Sequence, residues 1–157
     1  MTQRTEQATT SASGYDLRPL SQGERERLAA PLSAEERHVI LNQGTERPFC
    51  GTLLNNKEAG VYACRLCGLP LFQANAKFES GTGWPSFYQP FDPEHVNELR
   101  DVTHGMVRTE IRCRRCDAHL GHVFDDGPPP THQRYCLNSV SLQFFAAGTP
   151  PEQHTAA

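Results

Sequence analysis

The spacing of apolar positions changes near residue 51. Upstream, Ser33-Ala34-Glu35-Glu36 has the form of a capping box, with Ser33 capping free amides and Glu36 reaching back. Gly44 suits a C-terminal cap, so the pattern predicts one helix from about Ala34 to Gln43. Downstream, short apolar stretches are separated by Gly, Pro, Asn and Asp: Val61 to Cys64, Val107 to Cys113, His119 to Phe124 and Tyr135 to Phe145. That punctuation predicts a mainly β, α+β domain of antiparallel strands. Strands do not alternate with helices and no period repeats, which argues against a parallel doubly wound sheet.

Both ends lack apolar periodicity. Residues 1–20 and 148–157 are expected to be mobile tails around one folded unit of residues 21–147, a size that suits a single core. Met1 to Gly14 carries no apolar h-region and no window approaches the run of about 18 apolar residues that a membrane span needs, so the expectation is a cytoplasmic protein without a membrane partner. A net charge of -3 and a pI near 6.1 argue against extended nucleic-acid binding. The basic run Arg112, Arg114 and Arg115 reads as a solvated edge.

Six cysteines divide four and two. Cys64, Cys67, Cys113 and Cys116 form two Cys-x-x-Cys pairs, each placing two thiolates on a tight turn, and two such turns complete a tetrahedron of sulfurs that suits one structural zinc ion. Two thioredoxin-like dithiols are the competing reading, and they need a strand–helix context missing here. The interval Gly68 to Arg112 is longer than a zinc ribbon, so the ion is expected to pin distant loops of a larger domain.

Cys50 and Cys136 stand alone. If Arg134 to Phe144 is one strand, Cys136, Asn138, Val140, Leu142 and Phe144 share a face, core below and thiol above. A lone cysteine is more often a buried small hydrophobe. Arg134 and Asn138 favour a reactive thiol, because a cationic, hydrogen-bonding surrounding lowers a thiol pKa below its free value of about 8.5. His119 and His122 can be ligands, satisfied core histidines or proton donors; a bulge at Gly121 would turn both one way. Trp84, in Gly81-Thr82-Gly83-Trp84-Pro85-Ser86-Phe87, is the only tryptophan, and its loop context favours a site wall over core.

The ordered set of both Cys-x-x-Cys pairs, Gly83-Trp84-Pro85-Ser86-Phe87, Gly105-Met106-Val107-Arg108, His119-Leu120-Gly121-His122-Val123-Phe124 and Arg134-Tyr135-Cys136-Leu137-Asn138-Ser139 resembles the methionine-R-sulfoxide reductase family over roughly Leu32 to Phe145. The resemblance implies two antiparallel sheets behind N-terminal helices and zinc on the four paired cysteines. It makes Cys136 the nucleophile and Trp84 the wall for the substrate methyl group, with His119, His122, Arg134 and Asn138 as the polar side of the pocket. It further implies reduction of methionine-R-sulfoxide in proteins; the chain is expected to act as a monomer. Cys136 passes through a sulfenic acid, Cys50 resolves it as a disulfide, and thioredoxin restores both thiols. Many members carry the recycling cysteine where this chain has Thr82; Cys50-Gly51-Thr52 resembles the members that place it earlier. His132 stands where glycine is usual and is expected to project into solvent. A zinc-stabilised binding module and a thiol peroxidase are the alternatives.

Overall fold

The structure is a computed structural model that describes residues 10–49, 51–149 and 153. Two helices lead, α1 (Gln22–Ala29) and α2 (Ala34–Asn42), and each opens with a complete capping box. Ser21 or Ser33 accepts from the N–H three residues on, and Glu24 or Glu36 accepts back from the serine N–H. The second helix was expected. The first carries the same Ser-x-x-Glu signature, but its only apolar positions are Leu28 and Ala29, so no apolar stripe announced it. Gln43, not Gly44, takes the left-handed conformation after α2, with φ 59°. Its side-chain amide donates to both carboxylate oxygens of Glu110, at 2.9 and 3.1 Å, which offsets the roughly 1–2 kcal/mol that a left-handed residue costs.

Among the described residues nine strands follow: β1 (Gly60–Cys64), β2 (Pro70–Gln73), β3 (Lys77–Phe78), β4 (Ser86–Phe87), β5 (Val96–Asp101), β6 (Arg108–Cys113), β7 (His119–Phe124), β8 (Arg134–Leu137) and β9 (Leu142–Ala146). They form two antiparallel sheets, one ordered β2-β1-β9 and one ordered β3-β4-β8-β7-β6-β5. The mainly β class with two antiparallel sheets is therefore correct. β3 and β4 are two residues long and β5 is mostly polar, too little pattern to be legible in advance.

One strand expectation is corrected. Tyr135 to Phe145 is two strands in different sheets, joined by a turn of 3-10 helix at Ser139–Ser141. Buried Asn138, Ser139 and Ser141 make that corner. Asn138 Nδ2 donates to the Leu120 carbonyl, Ser141 Oγ donates to the His119 carbonyl, and Ser141 N–H donates to the Asn138 carbonyl. Short polar side chains that bond backbone in this way compete with a strand ladder. The common face proposed for Cys136, Asn138, Val140, Leu142 and Phe144 accordingly does not exist.

The core lies between the sheets. Phe72 stacks on Phe87 at 4.7 Å, Tyr62 meets Phe87 edge-on at 5.1 Å, and Tyr135 lies 5.6 Å from Phe72. Tyr135 and Leu137 of β8 face this core, so Cys136 between them faces the other way. Part of the segment expected as an N-terminal tail packs on the same body: Leu17 is buried in the core, Tyr15 packs edge-on to Phe91 and His95, and Ser11 and Ser13 hydrogen-bond the His95 ring.

Candidate active site and metal centre

The two Cys-x-x-Cys segments fold as the same turn twice. Cys64 N–H donates to the Leu69 carbonyl and Gly68 N–H to the Cys64 carbonyl; Cys113 N–H donates to the Ala118 carbonyl and Asp117 N–H to the Cys113 carbonyl. The residue after each second cysteine is left-handed, Gly68 at φ 82° and Asp117 at φ 65°. One turn joins β1 to β2 and the other joins β6 to β7, so each sheet contributes one. All four sulfurs are buried and lie within 4.8 Å of one another, with Cys64–Cys116 at 3.5 Å and Cys67–Cys113 at 3.6 Å. A tetrahedral zinc with bonds of about 2.3 Å separates its sulfurs by about 3.8 Å, so the donor set fits a metal ion. The neighbouring Cys113 sulfur pushes the Cys67 thiol well up, and burial does the same to Cys116. A cation among the sulfurs would remove that opposition to thiolate.

Cys136 lies on the opposite face of the large sheet from the core, half-buried. Its Cα partners are Ser86 on β4 and His122 on β7, which puts all three side chains on one face. Thr82 Oγ1 is 3.8 Å from its sulfur. Burial pushes the thiol up from its ordinary value, with Thr82 and the Arg134 charge pulling the other way and losing. The expected thiol-acidifying surrounding is thus weaker than burial. Arg134 does share the thiol's face, two residues along a true strand, but its guanidinium is held by Asp126 at 2.9 and 3.2 Å and stacks 4.4 Å over the Phe124 ring.

The register between β6 and β7 slips between Ile111 and Arg112, leaving Leu120 as an extra residue on β7. A bulge was expected at Gly121; it lies one residue earlier, with Gly121 itself paired to Ile111, and it brings the rings of His119 and His122 to 5.6 Å. Each imidazole has its own carboxylate. His122 Nε2 meets Asp101 Oδ2 at 2.7 Å, and His119 Nδ1 donates to Glu110 Oε2 at 2.7 Å. Bonds from Thr103, then His122, hold the Asp101 carboxyl well below the usual range. Burial opposes ionisation of Glu110, but Arg112, His119 and Gln43 outweigh it and keep it a carboxylate. Burial pushes His119 down, toward the neutral ring, and its Nε2 has no partner.

Trp84 is fixed through a buried relay. Its Nε1–H donates to the Glu46 carbonyl at 3.0 Å, Glu46 N–H donates to Asn138 Oδ1 at 3.0 Å, and Val140 N–H donates to Glu46 Oε1 at 3.1 Å. Asn138 is buried in the β8–β9 corner, so it touches the pocket through Glu46 and Trp84. Pro85, beside the tryptophan, accepts from Leu137 N–H and ties this loop to the strand of Cys136. Cys50 lies outside the described residues. On either side of it, Phe49 N–H donates to the Gly83 carbonyl and Leu53 N–H donates to Ser139 Oγ. His132 is exposed in a turn at φ 61°.

Asp101, Glu110 and Glu46 were missed in the sequence. The first two were detectable only as carboxylates on the histidine face of neighbouring strands, which needs the β5–β6–β7 register; Glu46 lies in a loop with no periodicity to mark it.

A domain model described as the SelR domain matches residues 32–146. Among curated relatives, a protein of Caulobacter vibrioides named peptide methionine sulfoxide reductase MsrB is 64% identical over 146 residues, covering 93% of this chain and 92% of that one. Proteins of the same name from Xylella fastidiosa and Hahella chejuensis are 59% and 57% identical, over 89% and 78% of this chain and 92% and 88% of their own. Identity that high, over nearly the whole length of these relatives, leaves one assignment: the chain belongs to the MsrB family of peptide methionine sulfoxide reductases, built on the SelR domain.

Proposed function

We propose that this chain is a peptide-methionine (R)-S-oxide reductase that returns methionine-R-sulfoxide in proteins to methionine, with Cys136 as nucleophile and repair of oxidative damage as its task. Family membership supports the reaction, and the one structural observation that carries the residue roles is the cross-strand pairing of Cys136 with His122 beside the Trp84 loop.

The Cys136 thiolate attacks the sulfoxide sulfur while Trp84 walls the methyl group. His122, hydrogen-bonded to Asp101, donates a proton to the sulfoxide oxygen; a positioned acid of this kind typically contributes 10²–10⁴-fold. The substrate S–O bond breaks, an S–O bond forms on Cys136, and methionine leaves with Cys136 as the sulfenic acid. His119, held by Glu110, and Arg134, held by Asp126, complete the polar wall, and Asn138 acts through the Glu46–Trp84 relay.

The Cys50 thiolate then attacks the Cys136 sulfur, the sulfenic oxygen leaves as water, and a disulfide forms. A dithiol reductant of about -270 mV, as thioredoxin is, regenerates both thiols. Cys64, Cys67, Cys113 and Cys116 hold one structural zinc, whose contribution is to fix the two sheets rather than to touch substrate. The protein works as a cytoplasmic monomer; no helix among the described residues is long and apolar enough to cross a membrane.

A Cys136→Ser variant should lose at least about 10³-fold in turnover of the R-sulfoxide of a protected methionine, given the cost of deleting a nucleophile. Mass spectrometry after one turnover without reductant should find Cys50 joined to Cys136 and the other four cysteines on metal. Full activity in the variant would overturn the reading.

A further inference from the structure

A cavity of ≈ 520 Å³ is lined by residues of the Trp84 loop but not by Cys136, and of its lining the reaction just described uses only Trp84. Its size is that of a ligand pocket. Phe78, Ser86, Cys136 and His122 are successive Cα partners across β3, β4, β8 and β7, so their side chains form one row on one face of the large sheet. Phe78 and Ser86 also line the cavity, as does Trp84. Cavity and nucleophile therefore share a floor and a wall.

Apart from the exposed Asn55, the main polar side chains on the lining are bonded to the protein. Lys77 Nζ donates to the carbonyls of Leu54 and Asn56 at 2.7 and 2.9 Å, Ser80 Oγ bonds Ser86 Oγ at 2.7 Å and Thr82 Oγ1 at 2.8 Å, and Lys57 pairs with Glu79 at the rim. Among the described residues, no buried side-chain polar atom without a partner lies on this lining. What it offers is the apolar surface of Phe49, Leu54, Phe78, Trp84 and Pro85, and Phe49 is 68% exposed.

Strand spacing says which part of a substrate reaches it. Neighbouring strands lie about 4.8 Å apart, so Ser86 is one step and Phe78 two steps, about 10 Å, from Cys136 along the row. In an extended polypeptide the next side chain on the same side is two residues away, about 6.7 Å along the chain. With the sulfoxide at Cys136, that side chain falls between Ser86 and Phe78.

We propose that this cavity is a specificity subsite for the substrate polypeptide, taking an apolar, preferably aromatic, side chain two residues from the methionine sulfoxide. The proposal rests on the reductase reading and names which oxidised methionines that reaction serves best.

The test uses the full chain, dithiothreitol as reductant, and peptides of equal length carrying one methionine-R-sulfoxide in a Gly/Ser background, with Phe placed one or two residues to either side. Phe at a position two residues away should raise kcat/KM about tenfold over the all-Gly/Ser peptide, mainly through KM, a modest share of what full burial of Phe provides. Leu54→Glu and, separately, Phe78→Ser should bring that preference to within twofold, with Leu54→Glu leaving turnover of the Gly/Ser peptide unchanged as its control for folding. Equal rates for all peptides, a preference only at the adjacent position, or a preference that survives both substitutions would overturn the subsite while leaving the reductase standing. Absence of turnover on every peptide would overturn the reductase reading, and the subsite with it.

Discussion

At Cys136 three neighbours act on one thiol with opposite signs. Burial and the buried Glu46 carboxyl raise its pKa, and the Thr82 hydroxyl and the Arg134 charge lower it. Thiolate is the attacking species, so reactivity rises as pH rises through the thiol pKa, and burial moves that rise to higher pH. Removing one charge at a time should separate these influences. Arg134→Gln takes away a cation that favours thiolate and should shift the pH midpoint of Cys136 alkylation upward. Glu46→Gln takes away an anion that opposes it and should shift the midpoint downward, while its amide oxygen still accepts from Val140 N–H. Iodoacetamide labelling followed by peptide mass spectrometry across pH reads both; shifts in the same direction would contradict this assignment.

At the scale of elements, the site depends on how closely β7 and β8 approach. A Cβ built on Gly121 would lie 2.0 Å from the Cys136 carbonyl oxygen and 3.0 Å from the Leu137 Cα, both backbone atoms that have no room to yield. Gly121→Ala should therefore part the strands that carry Cys136 and both histidines. A displacement of about 1 Å costs on the order of 10²-fold in rate, so kcat should fall by that order while zinc content stays the same. A near-normal kcat would show that the bulge absorbs the extra carbon. The same pair of strands shows what was legible beforehand. The bulge between His119 and His122 followed from two site histidines set at an odd spacing around a glycine. The break after Leu137 did not, because Ser139 and Ser141 look like the polar face of an alternating strand and Asn138 like a site residue at the end of the opposite face, until their partners, Leu53 for Ser139, His119 for Ser141, and Leu120 and Glu46 for Asn138, are brought to them from elsewhere in the chain. Helix α1 was hidden for another reason: its capping box is complete, but its exposed surface leaves no periodicity to see, and Ser21→Ala should cost about 1 kcal/mol in thermal or urea unfolding.

At the scale of the whole molecule, the two sheets are joined by the aromatic core and by the paired cysteine turns, one turn from each sheet. Without a cation, the Cys113 sulfur pushes the Cys67 thiol well up and burial does the same to Cys116, while Cys64 is drawn well down, against burial, by hydrogen bonds from the other three sulfurs, so the cluster that fastens the sheets is left without its full set of thiolates. Structural zinc contributes roughly 10–16 kcal/mol in small peptides at pH 7, against a total stability of about 5–15 kcal/mol for an ordinary domain. Removal of the metal should therefore not merely lower the melting temperature; it should abolish the cooperative transition, with near-UV circular dichroism lost along with activity. Native mass spectrometry should find one zinc per chain before chelation. Cys67→Ser should reproduce the chelated state, although Cys67 belongs to the sheet that does not carry Cys136, and that separation is what makes the result informative. If the apo protein melted cooperatively at the native temperature, the aromatic core alone would be holding the sheets in register, and the geometry opposite His122 would owe nothing to the metal.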